Sequence, residues 1–332
     1  MENQFKALLV REEQEKFTAN IENISSLDLP KNDLLIKVNY SSVNFKDALS
    51  ASGNKGVTRK FPHIPGIDAA GEVVSSTSTL FNPGDQVLVT GYDLGMNTWG
   101  GFSEYISVPA SWVVKLPQGL SQFDSMAFGT AGLTAGLSVY NLLANDISPE
   151  SGRIVVSGAT GGVGSVAISI LSKLGFEVLA ISGKDQKTYL TSVLGAKEVI
   201  SRSEFVEKYD ARALAREEFA GGIDTVGGEI LSGILKSSKY NAAVTCCGNV
   251  AGVKLETSIF PFILRGIKLI GIDSVEQPIK YKEKIWKLLA NEWKSENLND
   301  LVSEVSLNQL PDLFHELLDG KGKGRYVVNI NL

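Results

Sequence analysis

Cysteine and histidine are both scarce: the 332-residue chain holds two of each. Cys246 and Cys247 are adjacent in an apolar strand, an arrangement poorly suited to a structural disulfide, and are expected to be buried core thiols. Residues 1–245 contain no cysteine, which excludes the cysteine cluster that a structural zinc needs. His63 lies in a proline-rich turn and His315 on a polar helix, so neither is expected to ligate a metal. Long hydrophobic runs are also missing. No apolar stretch approaches the length of a membrane span, and Met1-Glu-Asn-Gln-Phe-Lys6 lacks the basic, apolar and cleavage regions of a signal peptide, so a cytoplasmic protein is expected. The net charge of −5 and pI near 5.3, with basic residues scattered, leave no electrostatic case for nucleic acid as the main partner. There is no internal repeat and no low-complexity stretch.

Hydrophobic residues make up 43% of the chain, enough for two cores at this length. The most informative stretch is Arg153-Ile-Val-Val-Ser-Gly-Ala-Thr-Gly-Gly-Val-Gly-Ser-Val-Ala167, a β-branched strand running into a glycine-rich turn and a small-residue helix. Gly161 lets the backbone approach a pyrophosphate, Gly164 lets the helix pack on the strand, and the helix N-terminus offers N–H groups to the anion. Ala159 replaces the first glycine of G-x-G-x-x-G, so the loop reads Gly158-x-x-Gly161-x-x-Gly164 and is a weaker match on its own. A helix over about 163–174, ended by Gly175, leads to a second apolar strand, Glu177–Ser182, and completes a βαβ unit.

The second strand decides between cofactors. An NAD site usually places a carboxylate at its end to grip the ribose; here the strand ends Ser182-Gly183-Lys184. A hydroxyl and an ammonium suit a 2′-phosphate, and the missing acid also argues against a methyltransferase. Asp185 follows at once and is an alternative ribose partner, so NADPH over NADH is a preference. The plainer reading of Ser182 and Lys184 is a solvated turn.

From Phe5 to about Ser125 short strands alternate with turn signals, at Phe5–Val10, Leu34–Tyr40, Asp68–Val74, Gln86–Thr90 and within Gly100–Val108, which predicts an all-β barrel. From about Met126 to Ser274 helices alternate with buried strands, at Ile154–Ser157, Val178–Ile181, Val199–Ile200, Ile223–Val226, Ala242–Cys246 and Lys268–Ile272. Such alternation predicts an α/β, doubly wound parallel sheet. A helix around Lys282–Trp293 and a final strand Tyr326–Ile330 return to the first domain. The predicted boundaries are 1–125, 126–297 and 298–332.

This order resembles the medium-chain dehydrogenase/reductase superfamily, with a GroES-like catalytic domain and a Rossmann nucleotide-binding domain. The motifs Tyr40-Ser-Ser-Val-Asn-Phe-Lys-Asp-Ala-Leu49, Phe61-Pro-His-Ile-Pro-Gly-Ile-Asp-Ala-Ala-Gly71, Pro261-Phe-Ile-Leu-Arg265 and Gly271-Ile-Asp-Ser274 are similar to the quinone-oxidoreductase-like YhdH/YhfP branch, which includes NADPH-dependent acrylyl-CoA reductases. Zinc-dependent relatives carry Gly-His-Glu where this chain has Gly66-Ile67-Asp68, so a zinc-free enzyme is implied. The resemblance places Asn44, Phe45 and Asp47 near the nicotinamide. The family commonly has Tyr at Phe45, which can wall the ring but cannot donate a proton. Asn44 and Asp47 read equally as helix caps at the start of Phe45–Ser50. The resemblance further implies that Thr160, Gly161, Gly162 and Val163 hold the pyrophosphate and that Ser182, Gly183, Lys184 and Arg202 surround the 2′-phosphate. It places Asn249, Ile263, Ser274 and Arg325 toward the nicotinamide half; Ile263 reads equally as core, and Arg325 as a support for the C-terminal turn.

Lys55, Arg59 and Lys60 are candidates to meet coenzyme A phosphates, or are ordinary surface charges. The reaction implied is reduction of acrylyl-CoA to propionyl-CoA by NADPH. Reduction of quinones or small enones is the alternative, and a weakly catalytic NADPH-binding structural protein a third. The resemblance also implies a homodimer, in which the last strand of the dinucleotide sheet, here Gly266–Gly271, pairs with its counterpart across a two-fold axis.

Overall fold

The computed structural model describes residues 4–295, 298 and 302–332. Internal contacts divide it into two units. One comprises the described residues of Met1–Thr130, Val275–Ala290 and Leu301–Leu332, the other those of Ala131–Ser274 and Asn291–Asp300.

In the second unit six strands form one parallel sheet, in the spatial order Glu198–Ser201, Val178–Ser182, Ile154–Val156, Phe219–Asp224, Ser238–Cys246 and Lys268–Gly271. Numbered along the chain this is 3-2-1-4-5-6, the doubly wound order, with its switch point between Ile154–Val156 and Phe219–Asp224. The strands read as continuous apolar runs because both faces are covered: Ile154, Val155 and Val156 are fully buried. Helix Gly162–Lys173 buries Val166, Ile168, Ile170 and Leu171, and the chain turns away at Gly175 with φ +86°. A Cβ at Gly164 would stand 2.4 Å from the Gly158 carbonyl oxygen, so only glycine permits this helix-to-loop approach.

The sheet of the first unit runs Val302–Val305, Arg325–Asn329, Leu34–Ser42, Asp68–Ser76, Gln86–Thr90 and Val113–Lys115, with Tyr105–Val108 also paired to Leu34–Ser42. Its two end strands do not pair with one another and helices Phe45–Ala51 and Leu310–Leu318 pack in the same unit, so the expected all-β barrel is an open sheet with helices added. A ribbon of Gln4–Glu13 and Lys16–Ser25 stands beside it. Its second strand escapes the sequence pattern because the connecting turn uses Gln14 and Glu15 at φ +50° and +64° instead of glycine or asparagine.

Helix Ile279–Ala290 packs in the first unit. Lys282 is the reason. Its ammonium is buried, donates to the carbonyls of Thr90 (2.7 Å) and Val275 (2.8 Å) and lies 3.5 Å from the centre of the Tyr92 ring, which stacks on Trp112. The predicted 297/298 boundary cannot be placed on this frame, since residues 296, 297 and 299–301 lie outside those described.

Candidate active site

The parallel sheet ends in a glycine loop built for close approach. Gly158 has φ +60°, where a Cβ would meet the Thr225 hydroxyl at 2.1 Å. A Cβ at Gly161 would find only the Gly158 carbonyl, at 3.2 Å, and Gly161 and Gly162 are not buried. Thr160 is buried, and Val163 lies half-buried in the first turn of the helix. The loop is braced from below by Asp224, whose buried carboxylate accepts from the Ser157 hydroxyl (2.7 Å) and from the N–H of Gly227 (2.8 Å). Burial pushes the Asp224 pKa up, against those hydrogen bonds.

At the end of the neighbouring strand a cavity of about 580 Å³ is lined by Ser182, Gly183, Lys184, Asp185, Ser201 and Arg202, among others. Ser182 is buried and shapes the turn: its hydroxyl donates to the Lys184 carbonyl (2.9 Å) and accepts the Lys184 N–H (3.0 Å), so its proton is already used. Lys184 and Arg202 are exposed, and the Lys184 pKa is lowered by partial burial and by the Arg202 charge. Two cations converging on one cavity form a site for a multiply charged anion such as a phosphate monoester.

The remaining cofactor candidates are distributed differently. Asn249 is exposed, Ser274 is buried and accepts from the Thr134 hydroxyl at 2.8 Å. Ile263 is 63% exposed, so the alternative of a core role is wrong; it belongs to helix Phe260–Arg265, too short to bury that side. Cys246 and Cys247 are half-buried where strand Ser238–Cys246 ends and are not the core thiols expected. Burial and the Asp224 charge push the Cys247 thiol up to about 12, so it is a poor nucleophile.

In the first unit the polar groups gather around Asp68, which is fully buried. Its Oδ2 accepts from the Ser42 hydroxyl (2.5 Å), the Asn44 amide (2.9 Å) and the Thr130 N–H (2.8 Å), and its Oδ1 from the Thr130 hydroxyl (2.5 Å). Thr130 is brought there by a break in helix Gln122–Leu143, where Gly129 takes φ +53° and ψ −158°. A Cβ on Gly129 would lie 2.4 Å from the Ser42 hydroxyl oxygen. Arg325 is buried behind this cluster and donates to the carbonyls of Ala127 (3.0 Å) and Val43 (3.5 Å) and to the Ser42 hydroxyl (3.2 Å). It therefore braces the cluster from within its own unit instead of supporting the C-terminal turn.

Asp47 is fully buried and accepts three backbone N–H groups, from Asn44 (2.7 Å), Gly66 (3.1 Å) and Ile67 (2.9 Å), locking the helix start to the loop before Asp68. Burial and the Asp68 charge raise its pKa to about 7, against the pull of those donors. Phe45 opens this helix and is 52% exposed. Lys55 is taken up elsewhere, by Glu12 at 2.6 Å and by the rings of Phe17 and Phe61; Arg59 and Lys60 are exposed.

Sequence patterning missed Asp68, Ser42 and Thr130 as a cluster. Asp68 entered only as the residue after an absent zinc ligand; the available signal was the polar pair Ser41-Ser42 at the buried end of an apolar strand. The metal question can be put to the same residues. The position of the catalytic histidine is Ile67, Asp68 already takes four hydrogen bonds, and among the described residues no three His, Cys, Asp or Glu side chains gather to hold a metal. These residues do not fit zinc.

The model of the alcohol dehydrogenase GroES-like domain matches residues 30–118, and that of the zinc-binding dehydrogenases residues 162–291. YhfP of Bacillus subtilis, named a quinone oxidoreductase, is 41% identical over 99% of this chain and 100% of its own. The chain belongs to the YhdH/YhfP branch of the medium-chain dehydrogenase/reductases. Acrylyl-CoA reductase AcuI of Ruegeria pomeroyi is 42% identical over 98% of this chain and 99% of its own. Among solved structures, YhdH oxidoreductase of Salmonella enterica in complex with NADP superposes with a TM-score of 0.94 at 39% identity, covering 98% of this chain and 99% of its own. YhfP with NAD bound superposes with a TM-score of 0.95, covering 99% and 100%. The GroES-like and Rossmann assignments are those expected from the sequence.

Proposed function

We propose that the protein is an NADPH-dependent reductase of an activated carbon–carbon double bond, with acrylyl-CoA as substrate and propionyl-CoA as product. The convergence of Lys184 and Arg202 on one cavity carries the cofactor half of this reading, because a dianionic 2′-phosphate satisfies both cations. NADP on the Salmonella YhdH supports it; NAD on YhfP shows that the branch holds both cofactors. Glycines 161 and 162 and the N-terminus of helix Gly162–Lys173 hold the pyrophosphate.

When bound, NADPH supplies the hydride for the β-carbon. The chain's own part is positioning. Asp47 and Asp68 fix Phe45 and Asn44 at the helix start, and Phe45 presents an apolar ring that excludes water without offering a proton. With no zinc-holding cluster among the described residues, activation of the carbonyl rests on hydrogen bonds and shape. The AcuI name of a relative at 42% identity supports the acyl-CoA substrate, and the YhfP name supports quinones or small enones as the second reading. NADPH oxidation with acrylyl-CoA, crotonyl-CoA and simple quinones separates them: turnover confined to quinones rejects the first.

The assembly we expect is a homodimer. Strand Lys268–Gly271 is the sheet's end strand, and Ile259, Phe260, Ile263 and Leu264 beside it are all more than 40% exposed, an apolar surface that a second copy would cover. Sedimentation at micromolar concentration showing only monomer rejects this. No helix among the described residues is long and apolar enough to cross a membrane.

A further inference from the structure

The cavity at the end of strand Val178–Ser182 takes its charged lining from four side chains, Lys184, Asp185, Lys187 and Arg202. Its hydroxyls are spent. Ser182 donates to the Lys184 carbonyl, and Ser201 donates to the Glu204 carboxylate at 2.6 Å as it caps helix Arg202–Tyr209. The Ser203 hydroxyl lies 3.2 Å from that of Ser201, and because the Ser201 proton is already given, Ser203 is the donor there. A phosphate monoester entering the cavity therefore has to be held chiefly by charge. Lys184 and Arg202 against Asp185 leave one positive charge, half of what a dianion needs; with Lys187, three cations and one carboxylate leave two. Among the described residues neither the Lys187 ammonium nor the Asp185 carboxylate is held by a hydrogen bond or ion pair, and both residues are exposed. The Thr191 hydroxyl donates to the Lys187 carbonyl at 3.0 Å and anchors its backbone.

We propose that Lys187 is a further specificity-determining residue: its ammonium joins Lys184 and Arg202 on the 2′-phosphate of NADPH, and Asp185 is the carboxylate that this third cation offsets. The proposal rests on the NADPH reading and is independent of which substrate is reduced. Two adenosine phosphates share the chemistry that the cavity recognises, the 2′-phosphate of NADPH and the 3′-phosphate of coenzyme A. Position selects the first. The cavity ends strand Val178–Ser182, which pairs with Ile154–Val156, the strand that leads into the glycine loop. In a doubly wound sheet the ribose of a nucleotide whose pyrophosphate sits on that loop reaches the end of the neighbouring strand. Asp185 repels a phosphate there and tolerates the bare ribose hydroxyls of NADH, so Lys187 and Asp185 together set how sharply the two cofactors are told apart.

Binding is measured on the whole enzyme, without turnover, for NADPH and NADH and for 2′,5′-ADP, 3′,5′-ADP and 5′-AMP. Lys187→Gln weakens NADPH and 2′,5′-ADP about tenfold, the low end for a hydrogen bond to a charged group, and leaves NADH and 5′-AMP unchanged. Lys187→Arg keeps most of the discrimination because it keeps the charge. Asp185→Asn tightens 2′,5′-ADP several-fold, the opposite sign. Lys197→Gln, which removes an exposed charge that does not line the cavity, changes neither cofactor's affinity. Unchanged 2′,5′-ADP affinity in Lys187→Gln overturns the inference, as does an equal loss for 5′-AMP, a loss confined to 3′,5′-ADP, or the same loss in Lys197→Gln. Lys184→Ala/Arg202→Ala separates the two readings: if it abolishes the preference for NADPH while Lys187→Gln does not, the phosphate site stands and Lys187 is no part of it. A wild-type protein that binds NADH as tightly as NADPH is a different result, and rejects the cofactor reading itself.

Discussion

Gly183 gives the Arg202 guanidinium its place: a Cβ at position 183 would stand 3.0 Å from Arg202 Nε and 3.1 Å from its central carbon. Because the contact is with the end of an exposed, flexible side chain, Gly183→Ala should cost little stability. It should displace the guanidinium by a few tenths of an ångström and lower NADPH affinity several-fold, with NADH affinity unchanged. Parallel titrations with both cofactors, beside a thermal melt, check this.

Removal of the cations themselves is the stronger perturbation. Hydrogen bonds to a charged group contribute about 1.5–3 kcal/mol each, so Lys184→Ala/Arg202→Ala should weaken NADPH at least ~100-fold while sparing NADH. Equal losses for the two cofactors would remove the phosphate from this cavity.

Acidification should destabilise the first unit through His63. Its ring is 2% exposed, its Nε2 has no hydrogen-bond partner, and burial lowers its pKa below the ordinary 6.5. The unfolded chain therefore takes up this proton first, and the histidine's contribution is lost as pH falls through 6.5 toward the folded value. Asp47 works in the opposite direction. Its folded pKa, raised from 3.8 to about 7, makes its contribution fall as pH rises across that interval. Melting curves from pH 5 to 8 separate the two: His63→Leu should remove a loss of stability that grows as pH falls below 6.5, and Asp47→Asn should remove a loss that grows as pH rises from 5 to about 7. Parallel curves for wild type and both variants would contradict both assignments.

Local patterning carried most of the second unit, because each strand there is buried on both faces and reads as an apolar run between turn signals. Ile154–Val156 and Val178–Ser182 lie within one residue of their predicted ends. The phosphate turn was legible for the same reason: Ser182, Gly183 and Lys184 are consecutive. The Asp68 cluster was not, since Ser42, Asn44 and Thr130 reach it from 26, 24 and 62 residues away, and Thr130 arrives only through a backbone break at Gly129 inside an otherwise helical pattern. Periodicity reports that helix Ile279–Ala290 has an apolar face and says nothing of which core that face meets. Lys282, a charged residue on the buried side, is visible as such only in the folded chain.

The proposed passage of hydride from NADPH to the β-carbon of an activated double bond is open to one direct isotope experiment. Acrylyl-CoA is reduced with NADPH deuterated at C4 of the nicotinamide in ordinary water, and the propionyl-CoA is read by NMR. Hydride transfer to the β-carbon predicts one deuterium there and only solvent-derived hydrogen at the α-carbon, which is protonated by water or by a group that exchanges with it. Deuterium at the α-carbon, or release of all label to water, would contradict it.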